Sequence, residues 1–227
     1  MKILKNIYFY LIILLFGVIG CKKDNYTSPQ SVLTGSVNYQ GTSIGLRSNG
    51  VQLELWQHGY AFFSKIPIYV NQDGSFKATL FDGNYLLTRQ RGIGPWIDNT
   101  DSISVTVKGN TVIDVPVTPY YLVKDATFQK SGSSIKCTIN VSAITTSKAL
   151  ETVKLYLFKT ALIDDQNQNA SSSMAGSAIT DLNQPLNMSV NIPSSLTNEE
   201  AIYARVGVKT VGVTELAYSS PQRISLK

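Results

Sequence analysis

Apolar and polar residues alternate with a period of two over most of the chain beyond its N-terminal segment, and no stretch there keeps a helical period. In residues 51–56, for example, Val51, Leu53 and Leu55 alternate with polar or aromatic residues. Successive side chains of a strand point to opposite faces, so this pattern predicts strands with one buried face. Turn residues such as those at 71–74 separate the runs, which is typical of β-sandwiches.

The predicted strands fall into two groups, one on each side of the segment Thr118-Pro119-Tyr120-Tyr121. The sequence therefore predicts an all-β protein with two consecutive β-sandwich domains, at residues 31–119 and 120–227. The length of 227 residues is consistent with one to two domains. Pro116, in the last run of the first domain, suits only a strand end or an edge.

The first twenty residues have the pattern of a targeting segment. Lys2 and Lys5 precede an almost wholly apolar run from Ile7 to Ile19, which is shorter than the roughly 20 residues of a membrane-spanning helix. The run ends at Gly20-Cys21, which resembles a bacterial lipobox, where the cysteine is acylated and the peptide is cut before it. We expect a signal peptide at 1–20 and a lipidated tether at 21–30; the alternative is an ordinary secretory signal followed by an accidental cysteine.

Composition narrows the classes of function. Charged residues make up 15% and hydrophobic residues 43%, which excludes a disordered chain. A net charge of +5 without a basic stripe argues against a nucleic-acid partner. The chain has a single histidine, His58, for which we expect an exposed loop position, and we predict neither catalysis nor a cofactor nor a metal site.

Cys137 and two acidic segments are the other candidates for chemistry. Cys137 shares the alternation of Ile135 and Ile139, so a small core residue is favoured over a nucleophile. Residues 98–101 (DNTD) and 164–165 (DD) could offer oxygens to Ca²⁺, but capping of turns by their side chains is the commoner use.

Three segments of the first predicted domain, 33–37 (LTGSV), 73–76 (DGSF) and 82–87 (DGNYLL), resemble the landmarks of the carboxypeptidase-regulatory-like, transthyretin-type sandwich. Residues 203–209 and 217–221 resemble the last strands of a fibronectin type III-like or Ig-like domain. With the lipobox, this pairing resembles a family of surface lipoproteins with domains of unknown function, encoded beside starch-utilisation-type glycan importers. The resemblance implies an outer-membrane, lipid-anchored protein facing the cell exterior, with oligosaccharide and importer proteins as partners.

Three aromatic residues are candidates for binding a glycan. If the core takes Val51, Leu53 and Leu55, the alternation turns Trp56 outward, and Tyr69 is outward by the same argument. Trp96 follows Gly94-Pro95 in a predicted loop. Exposed rings can stack on the C–H face of a pyranose. For all three, covering a domain interface or a loop is an equal alternative, and Trp96 could instead plug the end of the sandwich.

Two classes of function stay open. The first is a non-catalytic accessory glycan-binding component of a polysaccharide-uptake system. The second is a structural or docking subunit of an outer-membrane assembly with no sugar site of its own. Sandwich folds serve both, so the fold alone does not decide between them.

Replacing Cys21 by Ser should abolish labelling of the protein by a metabolic acyl-chain probe, because lipidation needs the thiol. The matched control, Cys137→Ser, should label like the wild type. Equal labelling of the wild type and of Cys21→Ser would contradict lipidation at Cys21.

Overall fold

The structure, a computed structural model, describes residues 27–59 and 63–227. The predicted signal peptide and Cys21 lie outside the described residues. Nearly all of the regular structure is strand, so the predicted all-β class with two sandwich domains is confirmed. Among the described residues, no helix has the length and apolar character needed to cross a bilayer.

The N-terminal domain packs two sheets face to face. Its strands in chain order are β1 (Ser31–Tyr39), β2 (Thr42–Ser43), β3 (Gln52–Trp56), β4 (Ile66–Tyr69), β5 (Ser75–Leu80), β6 (Gly83–Arg89), β7 (Ile103–Val107), β8 (Asn110–Val112) and β9 (Val115–Pro116). In one sheet, β1 pairs antiparallel with β2 and β5, and parallel with β8 and β9. The other sheet has the antiparallel order β4-β3-β6-β7.

The core of this domain lies between the two sheets. Val51, Leu53 and Leu55 are fully buried, as the alternation predicted. Phe76 and Tyr85, which follow the two Asp-Gly turns, are 2% and 3% exposed.

Some details of the strand pattern differ from the prediction or refine it. The alternation placed Ile66 in the core with Ile68 and Val70, but Ile66 is 36% exposed because it begins the edge strand β4. Pro116 ends β9, the position expected for a residue without a backbone donor.

The C-terminal domain has a three-stranded sheet and a larger sheet facing it. Its strands are β10 (Tyr121–Ser131), β11 (Ser134–Ala143), β12 (Leu150–Phe158), β13 (Ala170–Ala175), β14 (Leu186–Asn191), β15 (Ala201–Thr210), β16 (Ala217–Tyr218) and β17 (Gln222–Ser225). The sheets have the orders β10-β11-β14 and β13-β12-β15, with β16 and β17 both paired to β15. This arrangement fits the predicted fibronectin III-like or Ig-like sandwich.

Cys137 lies in the core of the C-terminal domain and is 2% exposed. Burial raises the pKa of its thiol to about 12, so the reactive thiolate is not formed at neutral pH. The interpretation of Cys137 as a core residue is confirmed.

A buried arginine joins the two domains. The Arg205 side chain is fully buried and donates from Nε to the carbonyl of Ser219 (2.7 Å), from Nη1 to that of Ile163 (3.0 Å) and from Nη2 to that of Gln72 (2.9 Å). Gln72 belongs to the N-terminal domain. Burial lowers the pKa of Arg205 to about 10, so the group stays charged at neutral pH, and its guanidinium also lies 4.4 Å from the centroid of the Tyr218 ring.

Further contacts between the domains surround Arg205. Arg47 donates from Nε to Glu215 Oε2 at 3.1 Å, and the Tyr218 amide donates to the Gly45 carbonyl at 2.9 Å. A Cβ on residue 45 would lie 2.3 Å from the carbonyl oxygen of Tyr218, so glycine is required there.

Truncating Phe76 to Ala should lower the free energy of unfolding by about 3–5 kcal/mol, because the ring fills the core of the N-terminal domain. The neighbouring exposed residue provides the control. Lys77→Ala should change the free energy of unfolding by less than about 0.5 kcal/mol. Chemical denaturation measures both, and equal effects of the two variants would contradict the burial of Phe76.

Candidate functional site

The outward face of the sheet β4-β3-β6-β7 carries the first candidate residues. Tyr69 lies directly opposite Gln52, and Glu54 lies opposite Thr88. Tyr69 is 50% exposed and Trp56 is half-buried on this face. The predicted outward orientation of Trp56 and Tyr69 is therefore confirmed.

Trp56 is held by a hydrogen bond and partly covered by a second ring. Its indole Nε1 donates to Thr88 Oγ1 at 3.0 Å. The ring centroid of Phe63 lies 5.3 Å from that of Trp56, and Phe63 in turn stacks on His58 at 4.7 Å. Phe63 is 53% exposed and His58 is exposed, so these two rings form the outer aromatic surface beside Trp56.

Trp56 and Tyr69 share a face but not a position. Tyr69 is opposite Gln52, four residues along β3 from Trp56, which corresponds to about 13 Å of strand. Glu54 lies between them and binds Lys65 Nζ through its Oε1 at 2.6 Å. A single sugar ring could not contact both aromatic residues, whereas a longer chain could.

A groove of about 460 Å³ opens beside Trp56, within the size range of ligand sites. Its lining combines one aromatic ring with hydroxyl, amide and charged groups: Glu54, Trp56, Thr88, Arg89, Gln90, Arg91, Asn99 and Thr100. We call it the Trp56 groove. Of these residues, Trp56 is the one for which the sequence predicts sugar binding; the others come mainly from the end of β6 and from the loop that follows it.

A second cavity, which we call the end pocket, lies at the adjoining end of the sandwich and has a volume of about 760 Å³. It shares Arg89, Asn99 and Thr100 with the Trp56 groove. Its other lining residues are Tyr39, Gln40, Ile97, Asp98, Asp101, Ile103, Pro116, Val117 and Thr118. The two cavities therefore meet at Arg89 and at the loop of residues 90–102.

Trp96 is not a binding platform, and its assignment as a glycan-binding candidate is wrong. The residue is 1% exposed and belongs to the core of the N-terminal domain. It pairs with Pro119 in an isolated bridge, and a Cβ on residue 94 would lie 2.2 Å from the Trp96 ring. Glycine at 94 lets the chain pass over the indole, so Trp96 anchors the loop 90–102 that lines both cavities.

Acidic and amide side chains of this loop cap turns. Asp98 Oδ1 accepts from the Gly92 amide at 2.9 Å, and Asn99 Oδ1 accepts from the Asp101 amide at 2.6 Å. Asp164 similarly accepts from the amides of residues 166 and 167. The turn-capping interpretation is confirmed, and within residues 27–59 and 63–227 no three His, Cys, Asp or Glu side chains are grouped to hold a metal ion.

Fold and cavities together define a two-domain β-sandwich protein with a polar and aromatic groove on its N-terminal domain. The chain belongs to the DUF3823 family. The family model for the N-terminal domain of this protein of unknown function matches residues 31–118. The model for the C-terminal domain, also of unknown function, matches residues 121–223. No curated protein matches the chain.

Solved structures support the same assignment. A DUF3823 family protein from Bacteroides ovatus is 37% identical, with 87% of this chain and all of that chain covered and a TM-score of 0.82. One from Parabacteroides merdae is 34% identical over 88% of this chain and all of that chain, with a TM-score of 0.81. A Bacteroides uniformis protein provisionally described as carbohydrate binding shares the fold at 20% identity and a TM-score of 0.71, over 87% of this chain and all of that one.

Trp96→Ala should lower the free energy of unfolding by about 3–5 kcal/mol, because it removes the core anchor of the loop 90–102. Trp56→Ala is the comparison. Because Trp56 is half-buried, its truncation should lower the free energy of unfolding by much less. Denaturant titrations of both variants measure the two changes in the free energy of unfolding. A Trp96 variant as stable as the wild type would show that the loop does not depend on the indole.

Proposed function

We propose that this protein is a non-catalytic, lipid-anchored surface protein that binds glycan in the Trp56 groove, as an accessory component of a polysaccharide-uptake system. The observation that carries the proposal is the lining of that groove, which places an oriented indole beside several hydrogen-bonding groups. This combination matches the two faces of a sugar, with its apolar C–H surface and its hydroxyl edge.

The Trp56 groove offers its polar groups from two directions. Thr88 and Gln90 come from β6 and its end, while Asn99 and Thr100 come from the loop anchored by Trp96. The bond from Trp56 to Thr88 fixes the indole before a ligand arrives, which reduces the conformational entropy lost on binding. Such a site fits a ligand with many hydroxyl groups better than a purely apolar one.

Exposed aromatic side chains extend the surface available to a longer glycan. Phe63 flanks Trp56, and Tyr69 lies about 13 Å further along the same face. A chain of several sugar units that starts in the Trp56 groove could reach Tyr69. The distant Bacteroides uniformis relative with a carbohydrate-binding description is in keeping with this proposal.

The proposal assigns no catalytic step to the site. Cys137 is buried with a raised pKa, and the ring of His58 stacks on that of Phe63. A lipid on Cys21 and a tether at residues 21–30 would hold the domains at the outer-membrane surface.

A docking role is the second candidate, and one observation favours it. Phe63, Ile66 and Tyr69 are 53%, 36% and 50% exposed along the edge strand β4 and the segment before it. Exposed apolar side chains on a sheet edge are a common basis for contact with another protein. A neighbouring outer-membrane importer protein is the partner that this candidate would require.

Titration calorimetry with neutral and acidic oligosaccharides tests the glycan proposal on the full chain, held in a detergent without a sugar headgroup. We expect affinities between about micromolar and millimolar, roughly −8 to −4 kcal/mol, because an open groove buries little of a sugar. Trp56→Ala should abolish detectable binding while the far-UV circular dichroism spectrum stays unchanged.

Val112→Ala is the control, since Val112 is 76% exposed on the opposite sheet and should bind like the wild type. If no oligosaccharide binds the wild type at millimolar concentration, the glycan proposal is wrong. The docking candidate then predicts that Phe63→Asp reduces co-purification with outer-membrane proteins.

A further inference from the structure

The guanidinium groups of the two buried arginines, Arg205 and Arg89, differ in how many hydrogen-bond partners they have. Arg205 uses all three of its nitrogen atoms to donate to backbone carbonyls. Arg89 is 7% exposed, yet its Nε has no hydrogen-bond partner among the described residues. Its one hydrogen bond there runs from Nη1 to the Asp101 carbonyl, at the long distance of 3.3 Å.

No carboxylate of the described residues lies within ion-pair distance of Arg89. The ion pairs in the described part of the chain are those of Arg47 and Lys65. The Asp101 carboxylate attracts Arg89 from beyond 4 Å, and burial lowers the pKa of the guanidinium without removing its charge at neutral pH. A buried charge with few partners destabilises the folded state, so its retention in a core calls for a reason other than stability.

The position of Arg89 supplies such a reason. It ends β6 on the side that faces the core, and it is one of the residues that line both the Trp56 groove and the end pocket. Its guanidinium contacts the Asp101 carbonyl, and Asp101 lines the end pocket, so a ligand that fills the end pocket comes close to this group. The exposed Arg91 lines the Trp56 groove as well and forms no ion pair within the described residues.

We infer that Arg89 recognises the carboxylate of a sugar acid, so that the glycan bound at the junction of the two cavities contains uronic acid. The inference rests on the proposed glycan-binding function and narrows its substrate class. A guanidinium presents its donors in a planar fork that matches a carboxylate. The bond from Nη1 to the Asp101 carbonyl orients this fork, while Nε has no hydrogen-bond partner among the described residues.

Two aspartates of the end pocket, Asp98 and Asp101, oppose the binding of an anion. The Gly92 amide donates a hydrogen bond to the Asp98 carboxylate and offsets part of its charge. The Asp101 carboxylate competes with the ligand for Arg89 by attracting it at longer range. Removal of the Asp101 charge should therefore strengthen binding of a uronate, whereas removal of the Arg89 charge should weaken it.

Calorimetry on the full chain, in a detergent without a sugar headgroup, tests the inference. The probes are oligogalacturonate and oligoglucuronate, each paired with its carboxyl-reduced, neutral counterpart. We expect the wild type to bind at least one uronate roughly 10- to 100-fold more tightly than its reduced form, the range for a hydrogen bond between charged groups. Arg89→Met should erase that difference.

Stability and charge controls separate recognition from folding. Arg89→Met should keep or raise the melting midpoint, because an apolar side chain of similar volume replaces a poorly paired buried charge. Arg223→Met removes an equal charge from an exposed position of β17 and should bind uronate like the wild type. Asp101→Asn should bind uronate more tightly than the wild type.

Each contrary result has a distinct meaning. If the neutral forms bind as tightly as the uronates and Arg89→Met binds like the wild type, the inference is wrong and the glycan proposal stands. If neither acidic nor neutral glycans bind, the glycan proposal fails and this inference fails with it. Tighter binding of a sulfated oligosaccharide than of either uronate would overturn the carboxylate assignment. So would a large fall in the melting midpoint of Arg89→Met accompanied by loss of all binding.

Discussion

The Arg205 guanidinium connects three separate parts of the chain: the turn at Gln72, the loop at Ile163 and the strand end at Ser219. All three acceptors are backbone carbonyls, so the geometry depends on the paths of the chain rather than on neighbouring side chains. Because the charge is fully buried, loss of any acceptor would leave a desolvated donor, which is costly. The N-terminal and C-terminal sandwiches are therefore held in one relative orientation, reinforced by the contact of Arg47 with Glu215.

The candidate site depends on a different anchor. Trp96 fixes the loop 90–102 in the core, and that loop supplies Asn99 and Thr100 to both cavities. The aromatic residue that contributes most to the shape of the site thus has no surface to offer a ligand. The exposed rings of Phe63 and Tyr69 lie instead beside and on the outward face of the sheet.

The period-two alternation predicted the strands well, because burial of one sheet face is a local property of sequence. It identified the buried residues of β3 and turned Trp56 outward correctly. It missed β13, whose sequence ASSSMA turns only two apolar residues, Ala170 and Met174, towards the core, because the inward residues of this edge strand are only half-buried. The alternation could not identify Arg89 and Arg205 as buried residues. It predicts the face of the strand on which each side chain lies, but only the packing of distant loops and of the second domain buries them. The misjudgement of Trp96 has the same origin, since a Gly-Pro segment predicts a loop without indicating that its tryptophan turns inward.

Strand β1 has a consequence for how the molecule presents its cavities. It begins at Ser31, directly after the predicted tether, and ends at Tyr39, which lines the end pocket. Its nine residues span about 26 Å at roughly 3.3 Å per step. If Cys21 carries the lipid, the length of this strand separates the end of the tether from Tyr39 at the end pocket. A ligand in that pocket would then be bound at a distance from the point where the tether joins the domain.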